Sequence, residues 1–337
     1  MKVCVIGLGR MGRRHLQVIL NLGFKISGIF DTLDESIALA QKEYDLSSSV
    51  IFNSIDLMFQ KIQPDAVVIA STAPSHCEYV CKSAEAGVRY ILCEKPMAVS
   101  LEECNQMINA CQKAGSTLAI NHQMQFMDQY VEIKNLAESE MFGGIRSINI
   151  IASNFGFAMN AVHYFEMFRY VTGQELIEVN AWLDGEYVPN PRGPEFEDRS
   201  GQIRAVSEDG VRLFMEAGGD LGHGIQVVYS CRLGQIVVDE LAGYVRYSHR
   251  KTEFSDLPTT RYGMPSNTEV LSIEPADVIG PTEGVWKAML DSQDFPDAYR
   301  GKHAVAALIA VNLSGEQGGI TTSINNKANE GRVFKWA

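Results

Sequence analysis

Three stretches of the chain carry residue types that can do chemistry. The first is Gly7-Leu8-Gly9-Arg10-Met11-Gly12, with an acid at Asp31. Glycines at this spacing let a backbone approach a pyrophosphate, and a helix starting there offers N–H groups and a positive dipole end; an acid about 20 residues on can accept from a ribose 2'-OH. Asp31 would repel a 2'-phosphate, and Thr32 and Leu33 bring no arginine to hold one, so the pattern favours NAD over NADP. The second stretch is Glu94-Lys95-Pro96, at the end of an apolar run. It is either a solvated charge pair before a turn proline, or a lysine whose pKa, lowered by burial or a nearby cation, suits it to exchange a proton with a hydroxyl. The third is His163, on an apparent helix with Glu166 three residues later. No third ligand accompanies that pair, so no metal site is expected.

Elements that could position these residues follow from hydrophobic runs and caps. Apolar runs at 3–6, 26–30, 66–70, 88–93 and 118–121 read as strands. Helical stretches separate them: one follows Gly12 to Leu22. Two others open on capping boxes, Ser75-His76-Cys77-Glu78 and Ser100-Leu101-Glu102-Glu103, and stop at Gly87 and Gly115. Strands alternating with helices predict an α/β Rossmann-type domain with a parallel sheet, whose ligands gather at the carboxyl ends of strands. That edge collects Asp31, Ser71, Thr72, Pro74, His76, Glu94, Lys95 and Asn121.

The second half reads differently. Helices are expected at 128–139 and 160–170, with a strand at 145–152 between them. Hairpin-forming strands follow, with 202–207 and 211–216 joined through Glu208-Asp209-Gly210, then 225–230, 236–240 and 244–249. Two more helices are expected at 284–290 and 302–314, and a small strand or tail at 333–337. This predicts an α+β domain with a large, mostly antiparallel open sheet over 123–337, after a nucleotide-binding domain over 1–122. An open sheet must cover its second face, so a homodimer or homotetramer built on it is expected. Two Pro/Gly-stiffened loops carry Arg192 and Arg261-Tyr262, suited to an anionic or polyhydroxy ligand.

Composition narrows the setting. The chain has 337 residues, enough for two domains, and 46% are apolar with no run long enough for a membrane span. The opening MKVCVIGLG runs straight into the glycine motif, which leaves no room for a signal peptide. A net charge of −12 speaks against a nucleic-acid partner. Seven scattered cysteines without a CxxC pair suggest reduced thiols in the cytoplasm.

GLGRMGRRH, Asp31 and VVIASTAPSHCEYVCKSAEAGVRYILCEKPMAVS together resemble the Gfo/Idh/MocA oxidoreductase family. The resemblance implies hydride transfer between a nicotinamide and a sugar-like alcohol or ketone. Under it Lys95 corresponds to the catalytic lysine, with Glu94 orienting it or the nicotinamide ribose. Pro96 corresponds to a proline often preceded by a cis peptide, and His76 and the 71–74 loop flank that ribose. His163 corresponds to the histidine of the family's D-x-x-x-H-x-x-D helix. Here the first aspartate is replaced by Met159, with Asn160 one later, and the last by Glu166; many relatives carry arginine where this chain has Gln125. The substrate side is therefore altered around Gln123, Gln125, Asn160 and His163. Two other readings stay open: a dinucleotide-binding sensor or regulator without catalysis, and a lyase or glycosidase that cycles bound NAD without net redox change.

Overall fold

The computed structural model describes residues 1–274, 277–326 and 329–337. They form two compact units. In the first, β1 (Lys2–Ile6), α1 (Arg10–Asn21), β2 (Lys25–Phe30), α2 (Asp34–Tyr44), α3 (Ile55–Ile62), β3 (Ala66–Ile69), α4 (His76–Glu85), β4 (Tyr90–Cys93), α5 (Leu101–Ala114) and β5 (Thr117–Ile120) succeed one another. The five strands make one parallel sheet in the order β2-β1-β3-β4-β5. Its strands are continuous apolar runs because helices cover both faces; Val3, Val5, Val68 and Leu92 are fully buried. Strand order reverses between β1 and β3, which opens a crevice at their carboxyl ends. Gly7 and Ser71 stand there, just past the two strands.

Neither α2 nor α3 was expected. Only Ala40 of α2 is buried, so its apolar stripe is faint, and α3 is a short helix capped by Ser54, whose Oγ accepts from Leu57 N–H at 3.4 Å. Of the two expected capping boxes, one forms in part, with Ser100 as the cap and Glu103 reaching one residue beyond it. Ser100 Oγ accepts from Glu103 N–H at 3.2 Å, and Glu103 Oε2 accepts from Val99 N–H at 3.2 Å. Ser75 stands at the N-cap of α4 without capping it. Its hydroxyl turns back to Ser71 Oγ and the Thr72 carbonyl, at 2.7 and 2.9 Å, and so ties down the 71–75 loop instead.

The second unit holds α6 (Asp128–Glu138), β6 (Ile145–Ser153), α7 (Val162–Thr172), β7 (Leu176–Tyr187), β8 (Arg199–Ser207), β9 (Arg212–Gly218), β10 (Gln226–Cys231), β11 (Gly234–Asp239), β12 (Tyr244–Arg250) and β13 (Ser266–Ser272). With a two-residue strand described below, these build a nine-stranded sheet. Every neighbouring pair is antiparallel except β6 and β9. The β8–β9 hairpin turns where the sequence places it, with Gly210 at φ 78°.

The expected break at 122/123 differs from the observed division. Helix α8 (Ile279–Leu290) belongs to the first unit. Its Val285, Trp286 and Met289 sit in one buried cluster with Val3, Leu16, Ile19 and Leu92. Trp286 meets Phe24 edge-on at 6.1 Å. Burial of side chains this large is worth about 2 to 3 kcal/mol each, which is why the helix is drawn into that core. Helix α9 (Ala298–Glu316) counts with the first unit to Val305 and with the second from Ala306, and β14 (Thr322–Ser323) pairs with β7. The last residues form no strand. They lie in the first unit, where Phe334 N–H donates to Val99 O at 2.9 Å and Phe334 stacks on Trp336. Among the described residues no helix is long and apolar enough to cross a membrane.

Candidate active site

The glycine turn shows which positions are forced by packing and which are left open. Gly7 has φ 87°, and a Cβ there would lie 2.5 Å from Ser71 N. A Cβ on Gly12 would lie 1.9 Å from the Gly7 carbonyl oxygen. Both glycines are therefore needed by the turn itself. A Cβ on Gly9 would meet nothing within 4 Å, so the space above it is free for a ligand. Gly9 is also the N-cap of α1, with no side-chain cap and no acid in the first turn; Arg10, Met11 and Gly12 follow it. This is the environment a pyrophosphate requires.

Asp31 ends the same crevice. Its carboxylate accepts from Leu8 N–H at 2.6 Å and Leu33 N–H at 2.8 Å, which fixes its direction. Beside it lies a cavity of about 400 Å³ lined by Phe30, Asp31, Thr32, Asp34, Ile37, Ile51, Phe52 and Asn53. Apolar side chains from Phe30, Ile37, Ile51 and Phe52 beside the polar Asp31, Thr32, Asp34 and Asn53 could take the adenosine half of a dinucleotide.

Glu94-Lys95-Pro96 follows β4, and the Lys95–Pro96 peptide is cis. Glu94 and Lys95 are both buried. Glu94 Oε1 accepts from His15 Nε2 and from Asn121 Nδ2, each at 2.8 Å, and Oε2 faces Lys95 N at 3.4 Å. Asn121 Nδ2 also reaches Thr282 Oγ1 at 3.4 Å. Burial by itself would raise the Glu94 pKa. The bond and charge of His15, the charge of Lys95 and the Asn121 bond outweigh burial and hold it at about 2. Glu94 is thus a buried, ionised carboxylate, so His15 Nε2 is the donor in the bond between them. Two buried atoms of this cluster, His15 Nδ1 and Asn121 Oδ1, have no hydrogen-bond partner among the described residues. With the open space over Gly9, they are what a bound nicotinamide nucleotide could satisfy.

His76 is buried, with Nδ1 2.9 Å from the Pro96 carbonyl and Nε2 3.1 Å from the Ser71 carbonyl. Burial lowers its pKa, against the pull of those two carbonyls. It braces the loop holding Ser71, Thr72 and Pro74 against the turn holding Lys95.

The remaining expected residues divide between the units. Gln123 and Gln125 lie buried in a short turn of the first, where Gln125 Nε2 donates to the Asp294 carbonyl at 3.0 Å. His163 occupies the first turn of α7 in the second unit, after a π-turn (Phe157–Ala161) that contains Met159 and Asn160. Glu166 is committed to Arg169, which grips it through Nε and Nη2 at 2.7 to 2.9 Å. Arg192 lies in a turn whose N–H is capped by Asn190, while Arg261 and Tyr262 stand on an exposed loop.

Three residues of these sites escaped the sequence reading. His15 ends the GLGRMGRRH stretch and was visible there without an assigned role. Thr282 gave no signal. Asp198, buried, accepts from Ala158 and Met159 N–H at 2.8 and 2.9 Å, so a carboxylate does serve the turn at Met159, supplied from far along the chain.

A parallel sheet with a glycine turn and a placed acid gives the first unit a Rossmann-type fold. Residues 1–122 match the family described as "Oxidoreductase family, NAD-binding Rossmann fold" (GFO_IDH_MocA). Among curated proteins the chain is 29% identical over 58% of its length to the uncharacterized oxidoreductase YrbE of Bacillus subtilis. It is 27% identical over 67% of its length to inositol 2-dehydrogenase 2 of Saccharopolyspora erythraea. Those alignments span 60% and 69% of the relatives' own lengths. The fold matches UDP-N-acetylglucosamine 3-dehydrogenase GnnA of Acidithiobacillus ferrooxidans with a TM-score of 0.75 at 20% identity, over 94% of this chain and 98% of that one. The family match thus covers the first unit's nucleotide-binding segment, and the likeness to the solved structure extends the fold over the rest of the chain.

Proposed function

We propose that the protein is an NAD-dependent dehydrogenase acting on a secondary alcohol, or its ketone, in a sugar or other polyhydroxy ring. The observation that carries this is the buried Glu94-Lys95 pair after β4, with the carboxylate fixed by His15 and Asn121. Bound NAD would supply the hydride acceptor. Gly9 and the start of α1 would hold its pyrophosphate and Asp31 its adenosine ribose, which disfavours a 2'-phosphate. Lys95 would take the hydroxyl proton during oxidation and return it during reduction, and His163 remains the second candidate for proton handling. The relatives named for inositol and for a nucleotide-linked amino sugar support a polyol or sugar derivative.

Lys95→Met tests the assignment. Mass spectrometry of a small-molecule extract incubated with the protein and NAD or NADH should show a pair differing by two hydrogens. The variant should form that pair at least about 100-fold more slowly while NAD affinity stays within a few-fold. Equal turnover by Lys95→Met would refute the role.

The open face of the nine-stranded sheet supports a homodimer or homotetramer. Asn180, Arg204, Phe214, Asn149, Val228, Val237 and Arg246 stand in one cross-strand row on alternating positions, mixing apolar and polar groups as an interface does. All seven cysteines are free thiols, which suits the cytoplasm.

A further inference from the structure

His15 and Glu94 are 79 residues apart, yet both are buried and their side chains meet at 2.8 Å. Fold stability alone does not call for this arrangement. A hydrophobic pair of similar size would pack that space without desolvating a carboxylate. What the bond does is set the state of the group next to Lys95. Glu94 receives donors from two elements, α1 and the end of β5, and both converge on the same oxygen. They draw charge onto Oε1 and stop the carboxylate from rotating. The charged or titratable groups around it are Lys95 on its own turn, His15 on α1, and His76 on α4, which feels its charge; Cys93, the residue before it, does too. Asn121 and Thr282 are neutral.

We infer that His15 is a positioning residue, which acts through Glu94 to set the proton affinity and aim of the Lys95 amine. The inference rests on the proposed role of Lys95 and adds a residue to it. Without the His15 donor, more of the Glu94 charge faces Lys95 and holds its ammonium form more tightly. Lys95 would then release its proton only at higher pH.

The test reads Lys95 directly, with no substrate. Trace acetic anhydride acetylates an unprotonated amine, so the yield at Lys95 against pH, read by peptide mass spectrometry, gives its titration. In the full-length protein, His15→Phe keeps the ring volume and removes the donor, while His15→Gln restores an N–H close to the Nε2 position. The expected result is a Lys95 midpoint about 0.5 to 1 pH unit higher in His15→Phe and close to wild type in His15→Gln. A midpoint unmoved in His15→Phe would overturn the inference, as would an equal shift in both variants. Should His15→Phe fail to fold, His15→Asn, whose amide is too short to reach Glu94, replaces it with the same expectation. Failure of the dehydrogenase reading shows separately, as undiminished turnover by Lys95→Met.

Discussion

Glu240 is a buried carboxylate in the second unit. Tyr130 donates to Oε1 at 2.7 Å and Tyr164 donates to Oε2. Burial raises its pKa from 4.5 to about 7, against the two tyrosine bonds, and neighbouring Asp239 adds to the rise. In the unfolded chain the group would titrate near 4.5, so between pH 4.5 and 7 the folded state binds more protons. Stability must therefore fall as pH rises through that window, and the full penalty is present above pH 7. At about 1.4 kcal/mol per pH unit, the difference between 4.5 and 7 amounts to roughly 3 kcal/mol. Glu240→Gln removes the charge and keeps the shape, but turns one acceptor into a donor and loses about 1 kcal/mol of tyrosine bonding. The variant should therefore be more stable than wild type by about 1 to 2 kcal/mol at pH 8.5, and the gap should shrink towards zero by pH 5. Hydrogen exchange of β10 and β11, compared between the two proteins at each pH, cancels the intrinsic pH dependence of the chemistry. Exchange about tenfold slower in Glu240→Gln at pH 8.5, and equal at pH 5, is expected. A gap that does not change with pH, or a variant less stable at pH 8.5, would refute the reasoning.

The other expectations concern the first unit. Gly9→Ala should melt like wild type yet bind NAD at least about tenfold more weakly, because its methyl enters only the open space; Gly12→Ala should lose the fold, as its methyl would overlap the Gly7 carbonyl. Calorimetry of binding and thermal melts separate the two. Asp31→Asn should shift the ratio of NADP to NAD affinity at least tenfold towards NADP, measured by titrating each cofactor. Ser100→Ala should lower the stability of the first unit by about 1 kcal/mol in denaturant unfolding, since the Glu103 N–H loses its cap.

Much of the first unit was legible because local signals there agree with the tertiary outcome. The glycine turn, its acid and the strand-end lysine are short-range patterns that a parallel sheet turns into one edge. What escaped was non-local. His15 lies in the glycine stretch, but only pairing of α1 with the end of β4 shows what it binds. The sequence shows methionine where the family's first aspartate stands, but not that Asp198, 40 residues beyond Ala158, serves that turn's backbone. Ser75 followed the capping pattern, yet its hydroxyl found nearer partners in the preceding loop. The domain boundary was misplaced because α8 reads as an ordinary apolar helix, and nothing in its own composition says which core it fills.

The late position of α8 in the chain affects how the first unit is made. Synthesis at about 5 to 20 residues per second puts on the order of ten seconds or more between the emergence of β5 and that of α8. Throughout that interval the nascent first unit has Leu16 and Ile19 in place but lacks Val285, Trp286 and Met289, the side chains that share their cluster. Its apolar seat for α8 can then close only after the strands β6 to β13 of the second unit have been translated.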